Sequence, residues 1–484
     1  MAVIRNGAAD TRRTWSYARS CMATGFLVAV LATLAWVAVA QRRQTPTVPG
    51  LQEIELGHVP VLRFWNGEER AVDKLGWHYA QTVQGRGGWR VWLEGYTGPA
   101  YTLAGSVAFS SDGGHVAYGA RRGDDRFVVV DGREGPRYRV AGPPALSADG
   151  RHLALQAAEE AGGEGFGQEF VVMDGHEGSR YATVGNLVLS EEGQHLAYVA
   201  SRGSYQVGKA TDETMKECVV VDGREGPQYD YIVSRSLALS SDGRHVAYLA
   251  TKHEGATRRQ FVVLDGQEGP QYDYCNDTSM LAMSSTGQRV AYEAWKGEKC
   301  VVVVDGQEGP EYDEVDEAAP DGVTHSRLGP VFSADGKRLA YMACKGRQAE
   351  AKWFAVVDGR EEPSYRRTWA PRFSMDGRHV AYSAEAPYGD TGPREFVMVD
   401  GQPGPRYSRV KIAAFSLDGK HVAYAAKKGD DWLVVLDDRE SPPYCEIVEN
   451  GPSFHPDGTL EFLAMKESAL LAKTLYRVTW SPKT

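Results

Sequence analysis

Cysteine is scarce, six in 484 residues, and Cys21 lies inside an apolar run. The remaining five, Cys218, Cys275, Cys300, Cys344 and Cys445, are an odd number at unmatched positions, which does not make a disulfide framework. A basic excess is missing too: 54 Lys and Arg face 64 Asp and Glu, for a net charge of −10. With no basic stripe to follow a phosphate backbone, nucleic acid is a poor partner. Helical period is absent from the body of the chain. So are the G-x-S-x-G nucleophile elbow, H-E-x-x-H and any appended hydrolase domain. The sequence therefore assigns no catalytic residue, no metal ligand and no cofactor.

What is abundant is glycine, 54 residues, set in a repeat. The stretch 107–140, VAFSSDGGHVAYGARRGDDRFVVVDGREGPRYRV, recurs nearly to the C-terminus. It reads as four short β segments: VAFS, HVAYGA after the turn SSDGG, RFVVV, and PRYRV after the turn DGREG. The glycine of the first turn returns as Gly113, Gly150, Gly193, Gly243, Gly287, Gly336, Gly377, Gly419 and Gly458. Its shortest step is 37 residues, Gly113 to Gly150, and its longest 50, Gly193 to Gly243. The second turn returns at Asp131-Gly132, Asp174-Gly175, Asp222-Gly223, Asp265-Gly266, Asp305-Gly306, Asp358-Gly359 and Asp400-Gly401, and degenerates to Asp437-Asp438. Four strands at a period in the low forties is the pattern of a propeller blade. A single such sheet buries its faces only against its neighbours, and the apolar run VVV fits a strand covered on both sides.

Aligning His78 with His115 turns residues 77–101 into a drifted first unit, and eight clearer units follow. The C-terminal tail supplies three strands without a fourth, while HVPVLRF (58–64) stands alone ahead of the first unit. The expectation is that this N-terminal strand completes the last blade, leaving no open edge. The fold class is then all-β, a single propeller of about nine to ten four-stranded blades over residues 57–482. Two smaller rings, or eight blades with free ends, are compatible with the same repeat.

The unit S-x-D-G-x-[HR]-[VL]-A-Y, as in SSDGRHVAYLA (240–250) and SADGKRLAYMA (333–343), resembles the WD40-like, TolB-type propeller repeat of bacterial proteins. The resemblance covers roughly residues 60 to 480. It implies the propeller fold. It does not fix a function, since such propellers serve both as protein-binding scaffolds and as accessory domains of peptidases. The chain departs from that repeat in carrying VVVDGxEGPxY in the second half of its unit, and it lacks the α/β N-terminal domain of TolB.

Residues 1–50 differ in character. Arg5, Arg12, Arg13 and Arg19 precede a charge-free run, 21–40, followed by Arg42 and Arg43. Residues 1–20 read as a cytoplasmic n-region, 21–40 as a transmembrane helix or a signal peptide, and 41–56 as a linker. An uncleaved anchor and a cleaved signal, with Ala38-Val39-Ala40 as cleavage site, both put the propeller in the cell envelope outside the cytoplasm.

Several repeated residues invite chemistry. The turn aspartates Asp112, Asp149, Asp242, Asp335, Asp376, Asp418 and Asp457 suggest a calcium array, but Glu192 and Thr286 replace two of them, as turn capping allows. His115, His152, His195, His245, His379 and His421 share one position with Arg289 and Arg338, and a metal ligand would not be exchanged for a cation. Tyr138, Tyr229, Tyr272 and Tyr312 of the EGPxY element read as packing against the next blade. The irregular insertions, 156–169, 201–217, 252–259, 313–329, 345–352 and 384–395, are all expected on the face opposite the SxDG turns. Loops on a rigid scaffold carry recognition. The candidate binding residues are Phe166, Tyr205, Lys209, His325, Arg327, Tyr388 and Arg394. The expected function is a non-catalytic, monomeric, extracytoplasmic scaffold binding protein or peptide through that face. The alternatives are an enzyme or carbohydrate-binding lectin using the central funnel, and a sensor ectodomain.

Overall fold

The computed structural model describes residues 48–482 apart from 60–69, 74–75, 86, 141–142, 159–167, 203–215, 234, 256, 276–280, 316–328, 348–349, 388–391, 412, 450 and 468–472. The n-region, the apolar run 21–40 and most of the expected linker lie outside the described residues. Among the described residues no helix is long and apolar enough to cross a membrane.

Ten antiparallel sheets follow one another along the chain. Blade 1 spans 70–97, blade 2 103–134, blade 3 139–177, blade 4 183–229, blade 5 231–268, blade 6 274–312, blade 7 314–361, blade 8 367–403 and blade 9 409–440. Blade 10 takes three strands from 446–480 and its fourth from Leu51–Val59. First strands of successive blades touch one another from blade 1 through blade 8, as only innermost strands of a ring can. The chain is a ten-bladed, four-stranded β-propeller.

The SxDG turns form because Gly113 and its counterparts hold φ near +70°, where a side chain is strained. The DG turns place Asp131 and its counterparts at φ near +50°, a region asparagine and aspartate tolerate best among residues with side chains. Between the turns, the third strand of each unit sits between two sheets. In Asp125–Val130, Phe127 and Val129 join Tyr101 and Val91 of blade 1, while Val128 joins Leu155 and Phe170 of blade 3. All three are at most 3% exposed. Burial of each such side chain contributes about 1.5–3 kcal/mol, on both faces of every blade.

The ring closes as expected in kind but not in register. The closing strand is Leu51–Val59, which begins inside the stretch expected as linker, 41–56, and shares only His58 and Val59 with the expected 58–64, whose remaining residues lie outside the described residues. It runs antiparallel to Lys473–Trp480, with Leu51 opposite Trp480 and Val59 opposite Lys473. Val59, Leu463, Met465 and Leu475 of blade 10 then pack with Tyr79 and Trp92 of blade 1. Trp77 of blade 1 stacks on His455 of blade 10 at 3.9 Å, and Arg477 Nη2 reaches Glu94 Oε2 at 3.1 Å. The outer edge of Lys473–Trp480 is thereby paired.

Innermost strands are the irregular ones. In six blades the first strand is split into two short pieces that both pair with the second strand. In blades 2, 4 and 8 it shifts register, between Gly105 and Ala108, Gly185 and Val188, and Trp369 and Arg372. Such bulges bend a strand and re-aim side chains.

Candidate functional site: two faces and a channel

On the SxDG face every blade is tied to itself and to the next. Ser110 Oγ donates to Asp112 Oδ1 at 2.6 Å, which also accepts the Gly114 N–H at 2.9 Å. The hydroxyl, first, and the backbone N–H hold the Asp112 carboxyl below its ordinary value. The same arrangement pulls Asp335 and Asp418 down to about 2. These aspartates cap their own turns, as their exchange for Glu192 and Thr286 implied.

The histidine column has a partner that sequence reasoning did not name. His115 Nδ1 lies 2.7 Å from Asp131 Oδ2, and the other carboxylate oxygen accepts the Val116 N–H. Five more pairs, His152–Asp174, His195–Asp222, His245–Asp265, His379–Asp400 and His421–Asp437, repeat it at 2.5–2.7 Å. Each links the two turns of one blade. The imidazole also packs on the glycine of the following blade: a Cβ on Gly150 would fall 2.3 Å from His115, and one on Gly243 2.4 Å from His195. Arginine fits because it performs both tasks. Arg289 Nε meets Asp305 at 2.8 Å and its Nη1 donates to Gly336 O at 3.0 Å; Arg338 does the same to Asp358 and Gly377. Among the described residues no group of three His, Cys, Asp or Glu is arranged to hold a metal.

The tyrosines are a second set of joints. Tyr101, Tyr181, Tyr229, Tyr272, Tyr312, Tyr407 and Tyr444 are at most 4% exposed. Each meets an aromatic ring of the next blade edge-on, as Tyr101 meets Tyr118 and Phe127 at 6.2 and 5.7 Å. In several of these joints the hydroxyl finds a carboxylate: Tyr181 donates to Glu225 at 3.0 Å, Tyr272 to Glu308 at 3.2 Å and Tyr407 to Glu440 at 3.0 Å. At the seam Tyr444 donates to Glu53 at 2.6 Å. The closing strand thus supplies the glutamate that the DGxE turn supplies elsewhere.

The opposite face is uneven. Links from second to third strand are two residues in blades 2, 6 and 9, but run over 159–168 in blade 3, 202–216 in blade 4, 346–351 in blade 7 and 386–394 in blade 8. The 252–259 insertion is a ladder extension, paired out to Glu254 and Thr257. One expectation is corrected. The 313–329 insertion does not link blades: Glu314–Val315 and Val331–Phe332 both pair with Leu339–Lys345, so it interrupts the innermost strand of blade 7 beside the channel. The signal was missed because only two residues pair on each side of it. Of the candidate residues, Phe166, Tyr205, Lys209, His325, Arg327 and Tyr388 lie outside the described residues. Arg394 is half-buried in the blade 8 link, where its carbonyl accepts the Ala386 N–H at 3.0 Å.

Sequence reasoning also passed over the channel wall. The penultimate residue of the innermost strand, opposite the second-strand alanine equivalent to Ala117 in blades 1 to 9, is Ala71, Ala108, Ala145, Val188, Ala238, Ala282, Val331, Arg372 and Ala414. Blade 10 has Ser453 there. Nine positions are small or aliphatic and half-buried; Arg372 is charged and exposed. Comparing the units column by column would have exposed it.

No family model and no curated protein matches the chain. Solved structures similar to it include a eukaryotic initiation factor, at 12% identity and a TM-score of 0.42 over 75% of this chain and 96% of that one. The β-propeller domain of the Trilobed protease from Pyrococcus furiosus shares 13% identity, with a TM-score of 0.32 over 62% of this chain and 95% of that one. TolB from Acinetobacter baumannii shares 15% identity, with a TM-score of 0.24 over 61% and 81%. At these TM-scores the likenesses assign no function to this chain.

Proposed function

We propose that this propeller is a non-catalytic scaffold of the cell envelope that binds protein or peptide through the face bearing the uneven links, held outside the cytoplasm by its N-terminal apolar segment. One observation carries the reading. The two kinds of turn on the SxDG face are nearly invariant in length and closed by repeated hydrogen bonds, whereas the long second-to-third-strand links of blades 3, 4, 7 and 8 share the other face. A surface freed from the repeat on a scaffold fixed by it is where recognition diversifies.

Crosslinking of the full-length protein in its own envelope tests this. A specific partner should be captured, and capture should be lost when 202–216 and 159–168 are shortened to two-residue turns. Capture that survives both deletions overturns the face assignment. A fusion reporter placed after residue 50 that is active only in the cytoplasm overturns the compartment.

A further inference from the structure

The channel wall carries cations that the repeat does not require. Arg372 stands in a column otherwise made of alanine, valine and serine, immediately after the bulge at Trp369–Arg372. It is exposed, yet it has no hydrogen-bond or ion-pair partner among the described residues. Its neighbour Phe373 faces blade 7, lying under the Arg338 guanidinium at 4.9 Å, so Arg372 is turned the other way. Desolvation by the surrounding protein lowers its pKa, and among the described residues no neighbouring carboxylate acts against that. An innermost strand borders the centre of the ring, so an exposed side chain on it is within reach of that space.

Arg235 repeats the pattern in blade 5. It lies between the two pieces of the innermost strand, Tyr231–Ile232 and Ala238–Leu239, is exposed, and has no partner among the described residues. Its φ of +69° is in the left-handed region, strained for a long side chain and concentrated at sites with a task. The remaining cation of a described bulge, Lys411 of blade 9, is already engaged: Nζ donates to Ile447 O at 2.8 Å and lies over the Trp432 ring at 4.8 Å. Glu449 of blade 10 acts on Lys411, not on Arg372.

We propose that the central channel binds an anionic group, a carboxylate or a phosphate, with Arg372 as its principal anchor and Arg235 as a second cationic contact. A guanidinium presents planar paired donors that match either oxyanion, and a confined, weakly hydrated one gains most from it. The site is independent of the loop face. The anion can come as a free small molecule or on an acidic peptide entering the channel, and both share this chemistry.

Full-length protein is titrated at low salt with three probes: inorganic phosphate, succinate and a deca-glutamate peptide. Saturable binding of at least one is expected, weakened about tenfold or more in Arg372→Ala and by less in Arg235→Ala, and falling as salt rises. Phosphate or succinate binding identifies a free anion; binding of the peptide alone identifies an acidic segment. Alanine is the residue blades 1, 2, 3, 5, 6 and 9 carry there, so Arg372→Ala preserves the fold. Without anion its Tm should equal or exceed wild type by about 1–2 °C, because a crowded charge without a partner is removed. Absence of binding by all three probes, equal binding by wild type and Arg372→Ala, or a lowered Tm that marks Arg372 as structural, each overturns the proposal. Partner capture through the loops should be unchanged in Arg372→Ala, so the two readings fail separately.

Discussion

Replacing Tyr444 with phenylalanine tests whether the seam is built like the other joints. The ring of Tyr444, 1% exposed, packs edge-on against Phe462 at 5.9 Å, a contact the variant keeps. What is lost is the hydroxyl that donates to Glu53 Oε1 at 2.6 Å, across 391 positions of sequence. A hydrogen bond to a charged acceptor contributes about 1.5–3 kcal/mol. Glu53 keeps Lys466 on its other oxygen and is 23% exposed at the side chain, so its carboxylate is not stranded. The lower part of that range applies, about 1.5–2 kcal/mol, measured by urea unfolding at constant m. Tyr407→Phe, which frees Glu440 in a within-chain joint, should lose a similar amount. A double-mutant cycle of Tyr444→Phe with Glu53→Gln should give a coupling of about 1 kcal/mol or more, and hydrogen exchange of 51–59 should quicken in both single variants. A loss under about 0.5 kcal/mol, or additive single effects, would mean that Glu53 is not the equivalent of the DGxE glutamate.

Tyr382→Phe should behave oppositely: its hydroxyl is buried and has no hydrogen-bond partner among the described residues, so the variant should be neutral or up to about 1 kcal/mol more stable in the same assay. Gly223→Ala meets open space at φ +77° and should cost about 1–2 kcal/mol, whereas Gly243→Ala at φ +70° also drives a Cβ to 2.4 Å from His195 and should cost about 2 kcal/mol more; equal losses would contradict the inter-blade role of the imidazole. The hydrogen bond to Asp131 raises the His115 pKa above 6.5. Stability from this pair is therefore full below the unfolded value and lost as pH rises through the higher folded one. Tm scans from about pH 6 to 8.5 should show that step in wild type and a smaller one in His115→Asn. Because Arg289 and Arg338 already occupy the column, His195→Arg should stay within about 1 kcal/mol of wild type.

The turn glycines and the buried VVV runs made the blades legible, because both are dictated locally: one by φ, the other by burial on two faces. The closing strand was placed seven residues late because LQEIELGHV carries no clean alternation. Gln52, Glu53, Ile54 and Glu55 are all exposed, and only Val59 is fully buried. The better clue was Glu53 itself, the residue type that follows most DG turns, though Pro403 stands there after Asp400-Gly401. The His–Asp pairing links columns 16 to 27 residues apart in sequence, as from His115 to Asp131 and His195 to Asp222, and pairing across a sheet is invisible until the register is known. The exchange of histidine for arginine also pointed to a shared need for a donor. Arg372 escaped notice because attention to long insertions overlooks a single substituted residue in a regular strand.

The seam has a kinetic consequence. Leu51–Val59 leads the propeller in sequence but pairs with Lys473–Trp480 at its far end. Every other strand finds its partners nearby, so wedges accumulate one upon the next while the leading segment waits. Bringing such distant segments together adds little entropic penalty, which grows only with the logarithm of the span, but it delays the step until the final wedge exists. The earliest piece of the circle is thus the last to be fastened.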